Sequence, residues 1–181
     1  MQQLVHENTA AAAFFGIDRL DTDKSLNVLF FNMGGRDTEV SVVKYSASSG
    51  SEAEATESIE QIEILGEAYD QTLGGCAFDS ILVDIFAEKF NELPSRQGMA
   101  DVRENERALV KLYKEATTIK EILSASKTAR VNIPELLNST DLTFELTRKE
   151  FEERAQMLFA RIEAPILKAL EEANLSFDQI D

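Results

Sequence analysis

The stretch Asn27-Val-Leu-Phe-Phe-Asn-Met-Gly-Gly-Arg-Asp-Thr-Glu-Val-Ser-Val-Val43 constrains this chain more than any other. Two apolar, β-rich runs flank Met33-Gly-Gly-Arg-Asp37. Strand, glycine-rich turn, strand reads as a hairpin. Its backbone can approach a phosphate closely, because glycine has no Cβ and tolerates φ > 0. Taken alone, the pattern fits an ordinary hairpin turn at least as well. The rest of the chain decides between the two.

A chain of 181 residues with 44% hydrophobic residues is long enough for a real core, as one domain or two small lobes. No apolar run approaches the roughly 18 residues of a membrane span. The net charge of −15, from 33 acidic and 18 basic residues, repels phosphate backbones and argues against nucleic-acid binding. The single cysteine, Cys76, excludes an internal disulfide and reads as a small buried residue at a helix start. The single histidine, His6, lies next to Glu7 and reads as a polar contact rather than a ligand. No catalytic Cys/His pair and no metal cluster is visible. There is no basic segment followed by an apolar one at the start, and the end falls where a new element could begin. The chain therefore reads as a piece of a longer protein.

Periodicity supplies the elements. A short helix is expected over Thr9–Phe15, with Thr9 as N-cap and Gly16 as stop. Strands are expected at Leu26–Phe31, at Thr38–Tyr45 and around Ile59–Leu65. Between the last two, Ser46–Glu57 is small, polar and acidic, and reads as a mobile loop. Ala77–Leu93 and Glu106–Ser124 carry helical stripes, separated by a loop from Pro94 to Asp101. Ala129–Ile133 and Leu142–Leu146 alternate as strands. Thr147-Arg-Lys-Glu150 is a capping box before a helix that Pro165 kinks or restarts. Strands, two helices, strands and a long helix make an α/β arrangement with a sheet-rich lobe and a smaller α+β lobe.

Several motifs fall in one order. Glu7-Asn-Thr-Ala-Ala-Ala12, Val28-Leu-Phe-Phe-Asn-Met-Gly-Gly35, Leu73-Gly-Gly75 with Phe78-Asp79, and Thr147-Arg-Lys-Glu-Phe-Glu-Glu153 resemble the second lobe of the nucleotide-binding domain of the seventy-kilodalton heat-shock chaperones. Asp101-Val-Arg-Glu-Asn105, Arg107-Ala108, Lys111-Leu112, Glu115-Ala116, Lys120 and Leu123-Ser-Ala125 resemble a large endoplasmic-reticulum subgroup of that family. The resemblance implies the actin-like ATPase fold, here as part of its second lobe. It implies a larger subdomain of residues 1–73 and 156–181 and a smaller one of residues 74–155.

The family's phosphate hairpin typically reads Asp-Leu-Gly-Gly-Gly-Thr-Phe-Asp, and here the stretch is Asn32-Met-Gly-Gly-Arg-Asp-Thr-Glu39. By resemblance the nucleotide-binding residues are Gly34, Gly35, Arg36, Gly74, Gly75, Lys120 and Ser124. Asn32 stands where the family has an aspartate near the metal and the attacking water. An amide cannot act as that carboxylate does. Arg36 replaces a glycine and Asp37 replaces a threonine, so no catalytic residue is assigned. Thr117 and Glu121 also depart from the family's adenosine motif.

The resemblance implies ATP or ADP with Mg in the longer parent and no cofactor on this piece alone. It implies unfolded clients, a lumenal heat-shock chaperone as the partner in nucleotide exchange, and the endoplasmic reticulum lumen. Residues 74–155 are the expected partner contact, and neither nucleic acid nor membrane is expected. An ATP-hydrolysing chaperone of the same fold and an actin-like scaffold without a nucleotide role are the alternatives. Asn138-Ser-Thr140 and Asn174-Leu-Ser176 fit the N-glycosylation pattern. Asn138 is expected in an accessible turn, Asn174 shielded at a helix end.

Overall fold

The structure is a computed structural model that describes residues 4–16, 25–48 and 59–181. It divides into two units, residues 1–74 with 161–181, and residues 75–160.

The first unit is organised by a central strand rich in Val and Tyr. β1 (Leu26–Met33), β2 (Thr38–Ser48) and β3 (Ile59–Asp70) form an antiparallel sheet in the order β1-β2-β3. Alternation along β2 sends Val40 and Val42 to one face and Val43 and Tyr45 to the other. All four are buried. The first pair packs with Ala68 against Ala169 and Leu170 of α5 (Glu163–Ala173). The second pair packs against Ala12 of α1 (Glu7–Gly16), with Phe15, Val28 and Phe30 around it. The Tyr45 hydroxyl donates to the Ala12 carbonyl at 2.7 Å, and Asn8 Nδ2 donates to Ser41 Oγ at 3.1 Å. Helix α1 thus begins before Thr9, which is helical rather than the N-cap. Burial of Asn8 against the sheet carries the first turn back to Glu7. Gly66 lets α5 lie directly on β3: a Cβ there would stand 2.3 Å from the Ala169 carbonyl oxygen.

Pro165 marks a restart rather than a kink. α4 (Arg148–Phe159) ends, and α5 begins with Pro165 in its first turn, where a missing N–H costs no intrahelical bond. The α5 entry is tied to the end of β3 by Arg161. Its Nη2 donates to Asp70 Oδ1 and Oδ2 at 2.8 and 2.7 Å. β2 runs on to Ser48, past the expected end at Tyr45, and residues 49–57 of the acidic segment lie outside the described residues. The segment 177–181 hydrogen-bonds to Asn27 of β1, with Asp181 N–H donating to the Asn27 carbonyl at 2.9 Å.

The second unit packs α2 (Gly75–Asn91) and α3 (Glu106–Ala125) with a hairpin of β4 (Thr128–Leu137) and β5 (Thr140–Thr147), and with α4. Leu82, Phe86, Phe90, Leu112, Ile119, Leu123, Leu142 and Leu146 are its large fully buried side chains. Asn105 caps α3 by accepting from Ala108 N–H at 3.0 Å, and Thr147 caps α4 by accepting from Glu150 N–H at 3.1 Å. The 94–101 loop contains a 3₁₀ turn at Pro94–Arg96. Arg96 is buried there, 5.0 Å above the Phe90 ring, and donates to the Ala100 carbonyl at 2.6 Å. β4 is longer than its alternation indicates, because its register breaks after Ile133, at Pro134. Glu135, with φ 45°, donates its N–H to Asp141 Oδ1 at 2.6 Å and keeps the strand going past the break.

The Arg161 hydrogen bonds to Asp70 hold its carboxyl below the usual carboxylate range. A depressed folded-state pKa adds stability that is present above the unfolded value of about 3.9 and is lost as pH falls through the folded value. Asp70→Asn is therefore expected to lower the urea midpoint at neutral pH. The gap to the natural chain should close as pH drops below about 4. Urea titrations of both chains across that range are the check.

Candidate functional site

The β1–β2 turn spans residues 34–37, between Met33 and Thr38, which pair across the strands. Gly34, Gly35, Arg36 and Asp37 are all exposed. The Gly34 N–H donates to the Asp37 carbonyl at 2.9 Å, so it is engaged inside the turn and must leave Asp37 to reach any anion. Among the described glycines only Gly98 has a positive φ, so neither turn glycine uses the left-handed region open to it. What the turn needs is space at Gly74. A Cβ on Gly74 would stand 2.6 Å from the Arg36 carbonyl carbon and 2.7 Å from the Arg36 and Asp37 nitrogens. The backbone at Gly74 is fixed from the other side by Thr38, whose buried hydroxyl donates to the Leu73 carbonyl at 2.6 Å. Two of the sequence-derived residues, Arg36 and Gly74, are thus brought into backbone contact.

Arg36 makes no hydrogen bond or ion pair with any described residue, and it does not neutralise Asp37. Its guanidinium is left open to solvent. Asn32 lies one residue inside β1, and its Nδ2 donates to Glu7 Oε2 at 3.0 Å. An amide is therefore tied to a carboxylate from α1. Glu7 was part of a quoted motif but was not singled out. Its role at this turn is set by packing of α1 on the sheet, which sequence spacing does not carry.

In the second unit, Lys120 on α3 reaches α2. Its Nζ donates to the Gly75 carbonyl at 3.0 Å and forms an ion pair with Asp79 Oδ1 at 2.7 Å. Thr117 Oγ1 donates to Asp79 Oδ2 at 3.3 Å. Asp79 is buried, so solvent screens this pair less than an exposed one, and removing either partner would leave the other charge shielded and unpaired. Gly75, Lys120 and, through it, Asp79 form one cluster. Asp79 is the residue that sequence reasoning passed over. Its signal was the four-residue step from the Gly75 turn into a helix facing Lys120. Ser124 is exposed, and its hydroxyl donates to the Glu121 carbonyl at 2.6 Å. Ser124 and Lys120 line a cavity of about 280 Å³ with Phe78, Phe151, Phe159 and Arg148. Arg148 Nε donates to the Leu123 carbonyl at 2.7 Å and closes the C-terminal end of α3. Three phenyl rings and two cations make this cavity suited to a flat, partly polar group.

Cys76 is exposed on the first turn of α2, not buried as its type led one to expect, because it lies on the opposite side of that turn from the buried Phe78 and Asp79. Asn138 and Asn174 are both exposed. Asn174 is not shielded. As the αL cap of α5, with φ 53°, it stands outside the packed helix face.

The family model described as Hsp70 protein matches residues 1–181. The chain belongs to the Hsp70 family. Its fold is accordingly the actin-like ATPase fold. Among curated proteins it is 38% identical to hypoxia up-regulated protein 1 of Mus musculus and 37% identical to that of Rattus norvegicus, over 99% of this chain in both cases. The protein of the same name from Xenopus laevis is 37% identical over the same share. This chain spans 18% of the length of the two rodent proteins and 27% of the Xenopus laevis one. No helix among the described residues is long and apolar enough to cross a membrane.

Gly74→Ala is expected to push the 36–37 turn away and to cost about 1–3 kcal/mol, because the added methyl meets backbone rather than a flexible side chain. Urea unfolding checks the cost. Faster amide exchange at Gly34, whose N–H is held by the Asp37 carbonyl, than in the natural chain checks its location.

Proposed function

We propose that this chain is part of the nucleotide-binding domain of a large chaperone of the endoplasmic reticulum lumen. The parent binds ATP or ADP with Mg, holds unfolded clients and acts as nucleotide exchange factor for the lumenal heat-shock chaperone. Residues 1–73 with 156–181, and residues 74–155, are the proposed subdomains, and the surface of 74–155 is the proposed partner contact. The likeness to hypoxia up-regulated protein 1 over 99% of this chain supports the subgroup.

The residues fit a nucleotide in part. The aromatic cavity with Lys120 and Ser124 suits a nucleoside, and Arg36 with Gly34, Gly35, Gly74 and Gly75 suits phosphate contacts. Mg would neutralise phosphate charge when bound. Among the described residues no cluster of three or more His, Cys, Asp or Glu side chains is arranged to hold a metal. The contribution of this chain is then to bind and orient. Arg36 supplies positive charge at an exposed turn, Gly74 keeps that turn seated, and Asp79 sets the position of Lys120.

The observation that carries the reading is the turn itself. Asn32, whose amide is bound to Glu7, replaces a carboxylate, and Arg36 and Asp37 replace small residues. All three changes weaken hydrolysis; Arg36 and the Gly34 and Gly35 backbone remain able to bind, while the Asp37 carboxylate opposes phosphate unless a cation offsets it. Loss of a positioning carboxylate commonly costs about a hundred-fold or more in rate. An ATP-hydrolysing chaperone of the same fold is the second reading, with Arg36 standing in for cation charge.

Single-turnover hydrolysis by the complete nucleotide-binding domain separates the two. The combined Asn32→Asp, Arg36→Gly, Asp37→Thr version is expected to be about a hundred-fold faster than the natural turn. Equal rates would rule out the binding-without-hydrolysis reading. The 181-residue chain by itself is expected to bind ATP only weakly, since tight sites enclose their ligand from several sides. Sub-micromolar affinity in calorimetry would contradict this.

A further inference from the structure

We propose that Asn138 carries an N-linked glycan at the tip of the β4–β5 hairpin. The proposal rests on the lumenal reading above, because the transfer takes place only in the secretory pathway.

Three observations support it. First, Leu137 pairs with Thr140, which leaves Asn138 and Ser139 as a two-residue loop. Their φ values are 51° and 57°, the geometry of a type I′ turn. Such a turn puts its two residues at the far end of the hairpin, away from the core, and both are exposed. Second, the Asn138 side-chain amide makes no hydrogen bond with any described residue, so converting its nitrogen to a substituted amide breaks nothing in the fold. The backbone carbonyl of Asn138 accepts from Thr140 Oγ1 at 3.4 Å, which holds the hydroxyl of the acceptor pattern next to the asparagine. Third, Asn138 borders a groove of about 480 Å³ that Asp101, Glu104 and Asn105 also line. Asp101 and Asn105 already accept from Arg103 and Ala108, which leaves the exposed Glu104 carboxylate to accept from a sugar hydroxyl.

The other pattern is poorer. Asn174 is exposed, but it is wound into the α5 cap, with its N–H donating to the Glu171 carbonyl at 3.0 Å. The Ser176 hydroxyl is already bonded to Gln179 Oε1 at 3.1 Å. The segment that follows is tied to β1 through Asn27. The competing explanation for Asn138 is that asparagine was placed there only because it tolerates φ > 0. That explanation accounts for the asparagine but does not require a hydroxyl two residues on; Thr140 also starts β5 opposite Leu137, so substitutions at Asn138 and Thr140 are what separate the two.

In the transfer, the Asn138 amide nitrogen bonds to the anomeric carbon of a lipid-linked oligosaccharide. The bond from that carbon to the pyrophosphate oxygen breaks, the lipid pyrophosphate leaves, and the amide nitrogen gives up one proton to the transferase's base.

The test is peptide mapping of the parent protein from its native source, with enzymatic release of N-glycans in heavy-oxygen water. A protease-protection assay is run on the same membranes. The expected result is a heavy-oxygen aspartate at position 138 in protected protein. Asn138→Gln and Thr140→Ala, each in the full parent, should both lose one glycan's mobility shift. Thr140→Ala leaves the turn asparagine in place, so its effect is not a folding artefact. Protected protein with unmodified Asn138 overturns the site and leaves the lumenal reading standing. Unprotected protein overturns the lumenal reading, and the site with it.

Discussion

Strand β2 is apolar on both faces, and the first unit is arranged around that fact. Val40 and Val42 have to be covered by one helix, and Val43 and Tyr45 by another. The sheet is therefore a middle layer between α5 and α1. At about 25 cal/mol per Å² of apolar surface, covering four such side chains outweighs any single polar contact in the unit. The polar contacts decide geometry instead. Tyr45 and Asn8 set where α1 lies along the strand, and the Arg161–Asp70 pair sets where α5 enters.

The same strand positions the candidate site. Thr38 is the first residue of β2, and its buried hydroxyl holds the Leu73 carbonyl. The 34–37 turn and Gly74 are then in contact because both are attached to one end of β2. Glycine at position 74 is required by distance, not by φ, since any side chain would collide with the Arg36 and Asp37 backbone. Arg36, where the family typically has glycine, adds a charged side chain that is exposed to solvent.

In the second unit, charge is used sparingly inside and freely outside. Lys120 and Asp79 are the pair drawn close to the aromatic cavity. Surface pairs such as Arg154–Glu88 and Arg103–Asp84 sit on the outside, where solvent screens them. Asp79 does not line that cavity, but removing it would leave the Lys120 ammonium with the Gly75 carbonyl as its remaining partner, so the carboxylate positions the lysine that does.

Much of this was legible in the chain itself. The 3.6-residue stripes of α2 and α3, the β-rich runs of β1 and β2, the cap at Thr147 and the family motifs are local patterns, and local patterns are written in order along a sequence. Boundaries were less legible. Thr9 has the chemistry of a cap, yet burial of Asn8 against Ser41 extends the helix past it. Pro134 has the chemistry of a strand end, yet Asp141 satisfies the Glu135 N–H and the strand continues. Cys76 has the chemistry of a core residue, yet it sits on the solvent side of its turn. What only the tertiary structure decided is pairing at long range. Glu7 meets Asn32, Lys120 meets Asp79, and Gly74 meets the turn at Arg36. Each joins residues at least 25 positions apart. Spacing along the chain names such residues but not their partners, because their meeting depends on how helices and strands pack.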